Sequence, residues 1–226
     1  MITQAHPTQE FLSDARKRMV DSQLRPNKIS DPRLIDAMRH LPRERFLPAG
    51  RTALAYADDN IPLGDGRVLM QPMVLARLAQ ASVPLGGETI LVVGAGTGYS
   101  AALFAALGCV VTALEAPGPL ADHAMTTLAA VAPGVRVVTG PLEAGWTAGA
   151  PYDIILIDGA VPEIPPAISD LLNNVTGRLI TILDGGDRTG RAIRAEPTGA
   201  GLSVIALFDA RCAMLPAFAL KPGFAF

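Results

Sequence analysis

Histidine and cysteine are scarce in this sequence, with three of the first and two of the second among 226 residues. His6, His40 and His123 are scattered, and Cys109 and Cys212 stand at no metal-ligand spacing. Neither a metal site nor a disulfide framework is expected. Both cysteines lie beside apolar residues and read as reduced core thiols. Excess charge of either sign is also missing. Nineteen basic residues against 21 acidic ones leave a formal charge of −2 and a pI near 5.9, which argues against a protein built to coat nucleic acid or an anionic membrane. No apolar run approaches the length of a membrane span. The start, MITQAHPTQEF, has neither a basic beginning nor an apolar h-region, so a cytoplasmic protein with no membrane partner is expected. Nothing in the sequence speaks to oligomeric state.

What is present is apolar material in short runs. Half of the residues are hydrophobic and 18% are charged, enough to bury a core around one α/β unit with an appendage. Residues 8–24 carry Phe11, Leu12, Ala15, Met19 and Val20 at helical spacing, and Arg25-Pro26-Asn27 ends that pattern. A second helix is expected after Ser30 or Asp31 as cap, with Pro32 in its first turn and Pro42 and Pro48 closing it. Residues 50–72 are rich in Gly, Pro and Asp and read as a long loop leading to a third helix, PMVLARLAQAS. From about Glu88 strands and helices alternate. TILVV, VVTAL, VRVVT, DIILID and RLITIL read as strands buried on both faces, with YSAALFAAL, PLADHAMTTLAAVA and PPAISDLLNN as helices between them. After residue 184 the helices cease, DGGDRTG is a turn, and antiparallel strands are expected at one side of the sheet. The expected division is 1–87, a helical appendage with a loop, and 88–226, the α/β domain, within one structural unit.

The stretch LVVGAGTGYSAALFAALGCVVTALE, residues 91–115, has a strand, a glycine loop, a helix, a second strand and a closing acid in the order a nucleotide-binding α/β unit requires. A plain glycine turn before a helix is the simpler alternative. In a dinucleotide fingerprint the position three beyond Gly96 would be glycine, where helix and strand pack closely; here it is Tyr99. The tighter Gly94-Ala95-Gly96-Thr97-Gly98 loop suits a ligand whose amino-acid part lies against the backbone. Glu115 can accept hydrogen bonds from both ribose hydroxyls, a feature that NAD and S-adenosylmethionine (SAM) share. A third element, PYDIILIDGAVPEIPPAI, delivers Asp158 to the carboxyl edge of the sheet, where open α/β folds bind ligands, and VPEIPP reads as a rigid loop over the pocket mouth. Asp158 could equally cap the following turn.

Together these blocks resemble the protein-L-isoaspartate O-methyltransferase family of SAM-dependent methyltransferases. The likeness covers nearly the whole chain: MVDSQLRPNKISDPRLIDAMRHLPRERFLP is similar to the N-terminal helices, IPLGDGRVLMQPMVLARLAQ to the substrate loop, ILVVGAGTGYSAAL to the SAM loop, and APYDIILIDGAVPEIP to the motif after the later strand. The resemblance implies an α/β fold with a SAM-type Rossmann-like open sheet, mostly parallel with antiparallel strands at its C-terminal end, and an N-terminal helical appendage. It implies SAM as cofactor, held by Gly94, Ala95, Gly96, Thr97, Gly98, Glu115 and Asp158. It also implies methyl transfer to the free carboxylate of isoaspartyl proteins or peptides, as a protein-repair step. A carboxylate with a pKa of about 4 is ionised at neutral pH and needs no base, in keeping with the lack of a Ser-His-Asp or metal constellation.

Three positions depart from the family pattern. The substrate loop usually reads T-I-S-Q-P, and residues 68–72 here read V-L-M-Q-P. Val68 and Met70 stand where the family has hydroxyls, and Gln71 is kept; these three are the substrate-loop positions of the candidate catalytic site. Met70 cannot donate a hydrogen bond. Gly140-Pro141-Leu142 replaces a G-D-G whose acid lies near the adenine, leaving Glu143 as a candidate, and Val92 replaces an acid of the first strand. The first expectation is isoaspartyl methylation. The alternatives are methyl transfer to a more apolar small-molecule acceptor and a catalytically silent SAM-binding or partner-binding family member, with an NAD-dependent oxidoreductase disfavoured by Tyr99.

Overall fold

The computed structural model describes residues 8–184 and 189–219; His6 and residues 185–188 of the DGGDRTG turn lie outside them. The chain opens with helix α1 (Gln9–Met19), capped by Thr8, whose hydroxyl accepts the Phe11 N–H at 3.2 Å. It runs on through a π turn (Val20–Leu24) and a 3-10 turn at Arg25–Asn27. Helix α2 (Pro32–His40) starts at Asp31, the cap chosen over Ser30, which accepts the Arg33 N–H at 2.9 Å. After the 3-10 turn Arg43–Phe46 the chain reaches a difference from the sequence reading. The expected loop over 50–72 contains an antiparallel hairpin of β1 (Ile61–Gly64) and β2 (Arg67–Leu69), a sheet of its own. The Gly and Asp residues that suggested a loop form its tip, where Gly64, Asp65 and Gly66 all have positive φ. Helix α3 (Pro72–Ala81) follows directly.

The main sheet has seven strands: β3 (Thr89–Val93), β4 (Val110–Glu115), β5 (Arg136–Thr139), β6 (Ile154–Val161), β7 (Arg178–Leu183), β8 (Gly190–Thr198) and β9 (Gly201–Ala210). They lie side by side as β5-β4-β3-β6-β7-β8-β9, parallel through β7 and antiparallel for the last two. Helices α4 (Tyr99–Ala106), α5 (Pro119–Val131) and the short α6 (Pro166–Ser169) are the crossovers. The sheet is an α/β layer of the expected class. PPAISDLLNN gives only one helical turn, because residues 171–173 pair with Tyr152 instead of continuing the helix.

Two apolar layers explain why the central strands read as unbroken hydrophobic runs. Ile90 and Val92 of β3, with Ile154 and Leu156 of β6, pack beneath the N-terminal helices, α4 and α5. Leu91 and Val93, with Ile155 and Ile157, pack on the opposite face against Leu142, Tyr152, Leu171 and Leu215. Alternate side chains point to opposite faces, so both sets must be apolar. Each fully buried Leu or Ile contributes roughly 1.5–3 kcal/mol. VRVVT departs from the expected burial on both faces: β5 is an edge strand, and of its residues only Val138 is fully buried. Cys109 is buried and Cys212 half-buried, and they form no disulfide.

Candidate active site

The sheet reverses its strand order at β3, which has β4 on one side and β6 on the other. The crevice beyond the carboxyl ends of such strands is where open α/β sheets take ligands. The loop 94–98 leaves β3 there, Glu115 ends β4, and Asp158 lies in β6. Gly98 caps α4 with φ 98°, and a Cβ at this position would meet Leu128 of α5 at 2.7 Å, so the turn closes only with glycine. Thr97 is buried and donates its hydroxyl hydrogen to the Phe46 carbonyl at 2.6 Å, tying the loop to the N-terminal layer. Tyr99 turns into that layer, with its ring edge-on to Phe46 at 5.4 Å and under the Arg43 guanidinium at 4.7 Å.

Asp158 owes its position to an irregularity in β6. The pairing with β7 jumps from Leu156↔Ile180 to Ala160↔Ile182, so extra residues of β6 stand opposite Thr181. The buried Thr181 hydroxyl faces the carbonyls of Ile157 and Gly159 at 3.4 and 3.3 Å and occupies the bulge from the β7 side. The strand then resumes to Val161, whereas the sequence pattern ended it at Asp158. Asp158 accepts a hydrogen bond from Ser100 at 2.5 Å. Burial pushes its pKa up to about 6, against the lowering influence of the Ser100 hydrogen bond and of Arg67.

Glu115 is buried and its carboxylate is fully engaged. Oε1 accepts from Arg67 Nη1 at 2.7 Å and from the Ala116 N–H at 2.9 Å, while Oε2 accepts from Arg67 Nη2 at 3.0 Å and from the Gly96 N–H at 2.6 Å. Arg67 Nη2 also donates to the Gly94 carbonyl at 2.6 Å. Arg67 was not anticipated. Its only sequence signal is a lone cation in GDGRVLMQP, and nothing in linear spacing links that hairpin to the end of β4.

The substrate-loop positions separate. Val68 is half-buried in β2 opposite Pro62. Met70 is buried in the core under the N-terminal helices, and its carbonyl accepts from the fully buried Arg43 at 2.6 Å. Gln71 donates from its side chain to the Asp58 carboxylate at 2.8 Å and to the Asp58 carbonyl at 3.1 Å, and its N–H goes to Asn60 at 2.8 Å. Beside Arg67 and Glu115 lies a cavity of about 190 Å³, lined by Asp65, Leu142 and the 116–120 turn and covered by Pro216 and Ala217. The expectation that VPEIPP covers the pocket mouth is therefore corrected: the segment at the mouth is the one after β9, whose Leu215 is fixed by hydrogen bonding to Ala160 at 2.9 Å. Glu143 is exposed and Leu142, not Glu143, lines the cavity. Among the described residues no His, Cys, Asp and Glu group could hold a metal ion, and no helix is long and apolar enough to cross a membrane.

Residues 14–200 match the model of the protein-L-isoaspartate(D-aspartate) O-methyltransferase family. The chain is 37% identical over 201 residues to protein-L-isoaspartate O-methyltransferase 1 of Rhodopseudomonas palustris, covering 88% of this chain and 79% of that one. It is 40% identical over 185 residues to the protein-L-isoaspartate O-methyltransferase of Methylorubrum populi, covering 81% and 87%. In fold it is similar to a solved protein-L-isoaspartate O-methyltransferase, with a TM-score of 0.78 at 22% identity, over 88% of this chain and 65% of that longer one. It is also similar to a Plasmodium falciparum protein described as a protein-L-isoaspartate O-methyltransferase in complex with S-adenosyl-L-homocysteine, with a TM-score of 0.75 at 19% identity, over 89% and 98%.

Proposed function

This chain belongs to the protein-L-isoaspartate(D-aspartate) O-methyltransferase family, and from that premise we propose that it transfers a methyl group from SAM to the free carboxylate of isoaspartyl residues in proteins or peptides. The observation that carries the reading is the meeting of the glycine loop, Glu115 and Asp158 at the strand-order reversal of a sheet built as in that family. The loop suits the cofactor in its backbone: Gly94 and Gly96 have φ of 72° and 57°, and a Cβ on Gly94 would intrude on the space now held by Arg67 Nη2, 3.2 Å away.

When bound, SAM supplies a methyl group on a sulfonium, activated toward a nucleophile. The chain does the rest. Gly94, Ala95, Gly96, Thr97 and Gly98 present backbone to the amino-acid part, Glu115 accepts from the ribose, and Asp158 offers a carboxylate beside Ser100. The acceptor side falls to the 68–71 segment, where Val68 is half-buried in the hairpin, Met70 lies in the core and the Gln71 amide is held by Asp58. The acceptor carboxylate is ionised at neutral pH, so no residue has to remove a proton, and catalysis consists of alignment. Neither nucleic acid nor membrane has a part in this reading. The two unpaired cysteines, whose thiols burial pushes up to about 11 for Cys109 and about 12 for Cys212, suit a reducing cytoplasm.

The test is methyl transfer from radiolabelled SAM to an isoaspartyl peptide and to its normal aspartyl twin. Label on the isoaspartyl peptide alone is expected. Label on neither peptide, with label on metabolites of a cell extract, would overturn the choice of acceptor.

A further inference from the structure

Glu115, the residue assigned to the ribose, has no acceptor capacity left. A carboxylate offers about four lone-pair positions, and here each oxygen accepts two hydrogen bonds, one from the backbone and one from Arg67. The ribose hydroxyls are donors and need the same oxygens. The backbone donors at Gly96 and Ala116 are built into the loop and the strand end, so only the two guanidinium bonds can be exchanged. Arg67 also stands over the glycine loop, bonded to the Gly94 carbonyl and within 4.0 Å of where a Gly96 Cβ would be.

A second side chain fills the neighbouring space. Leu215 methyls lie 3.2 Å from a Cβ built on Gly94 and 2.6 Å from one built on Gly159, between the two strand ends that the cofactor must reach. The cavity left beside them, about 190 Å³, is below the roughly 300 Å³ at the low end of small-molecule sites.

Both occupants sit on elements joined to the main sheet by little backbone pairing. Arg67 begins β2 of a hairpin that pairs with no strand of the main sheet and docks on the core through the side chains of Ile61, Leu63 and Leu69. Leu215 follows a single bridge between Met214 and Ala160. The two elements touch: a Cβ on Gly66 at the hairpin tip would lie 3.3 Å from Pro216, and Asn60, just before β1, donates to the Arg211 carbonyl at 2.8 Å.

We propose that Arg67, with Leu215 beside it, is an internal occupant of the cofactor site, so that SAM binds by exchange: the hairpin withdraws the guanidinium from Glu115 and the 211–218 segment moves with it. This rests on the placement of SAM at the 94–98 loop given above. Free SAM therefore competes with a tethered cation, and its affinity is set by the hairpin as much as by the cradle.

The experiment is calorimetric titration of S-adenosylhomocysteine into the native protein and the variants Arg67→Gln and Leu215→Ala, with stopped-flow association rates. Arg67→Gln keeps a neutral donor for Glu115, and Leu215→Ala leaves the ion pair intact, so one of the two reports even where the other fails to fold. The expected result is a Kd at least tenfold tighter in a folded variant. The native association rate should level off at high ligand concentration, and the variant's rate should keep rising. Binding gained by a variant where the native protein shows none supports the proposal equally. Native-like or weaker affinity in folded variants that do bind overturns the proposal and leaves the cofactor placement standing. Absence of binding in all three folded proteins overturns both.

Discussion

Ser100 and Asp158 form a 2.5 Å hydrogen bond between the first turn of α4 and the bulge of β6, and this contact holds the acid against the glycine loop. Desolvation nevertheless dominates, and the Asp158 pKa stands at about 6. In the unfolded chain it returns to about 3.9. Between these values the folded protein keeps a proton that the unfolded chain has released, so stability falls as pH rises through the window and is level above it. Asp158→Asn removes the titration. The stability difference between native protein and this variant, from urea unfolding between pH 4 and 7.5, should change by about 2 kcal/mol across the window, the full shift being discounted for a part-buried group. Ser100→Ala removes a lowering influence and should move the window upward. A difference flat with pH would show that Asp158 is already ionised at low pH.

Gly98 and Leu128 make a second testable pair. Gly98→Ala puts a Cβ 2.7 Å from Leu128 Cδ1 and imposes a left-handed backbone on alanine, which should cost about 2–4 kcal/mol in unfolding free energy. Leu128→Ala alone opens a cavity and should cost about 2–5 kcal/mol. Combined, the two should cost less than their sum by about 1–3 kcal/mol, because the second makes room for the first. Strict additivity in urea melts would mean that the turn, not the contact, fixes the glycine.

The central strands were legible because burial on both faces leaves no freedom: Ile90, Leu91, Val92 and Val93 must all be apolar, and a run of that kind bounded by glycine has few other readings. The 94–98 loop and Glu115 were legible for a similar reason, since order along the chain is also order along the site. The hairpin at 61–69 was not. Its strands are three and four residues long, and the Gly-Asp-Gly tip that makes the turn looks like any loop. Arg67 and Leu215 were hidden more deeply. Each acts on residues distant in sequence, Glu115 and Gly159, and no local pattern marks a side chain that folding carries into another motif's cradle. α6 shows the converse. PPAISDLLNN has helical composition throughout, but the pairing of Tyr152 with Leu172 stops it after one turn.

Arg67 and Glu115 are both buried, so breaking the pair is costlier than replacing it. Glu115→Gln leaves a buried guanidinium without its counter-charge and should destabilise the free protein by about 3–5 kcal/mol. Arg67→Met in the same chain removes the stranded charge and should recover most of that loss, with the glutamine carbonyl still available to the Gly96 or Ala116 N–H. Urea unfolding of the two single variants and the double variant measures the coupling. A double variant no more stable than Glu115→Gln would place the cost in the backbone hydrogen bonds of Gly96 and Ala116 instead of the ion pair.

The acceptor side of the site sets the last expectation. Val68 and Met70 present no hydroxyl, and the Gln71 amide is committed to Asp58, so the hairpin offers the isoaspartyl carboxylate no side-chain donor from these three positions. One missing hydrogen bond to a charged group is worth about 1.5–3 kcal/mol, roughly a 10- to 150-fold loss in rate. Val68→Thr is nearly isosteric and half-buried at a hairpin position. It should raise kcat/KM for an isoaspartyl peptide by about tenfold or more, with the aspartyl twin unaffected and stability nearly unchanged. Met70→Ser is a different substitution in kind. Met70 belongs to the core beneath the N-terminal helices, so its truncation should cost about 2–5 kcal/mol, visible as a lower urea midpoint, and that loss would mask any gain from the new hydroxyl. The two changes should therefore separate, activity following residue 68 and stability following residue 70. Should Val68→Thr leave the methylation rate unchanged while the native protein turns over isoaspartyl peptide rapidly, the carboxylate is held by backbone N–H groups of the hairpin, and the hydroxyls are dispensable in this chain.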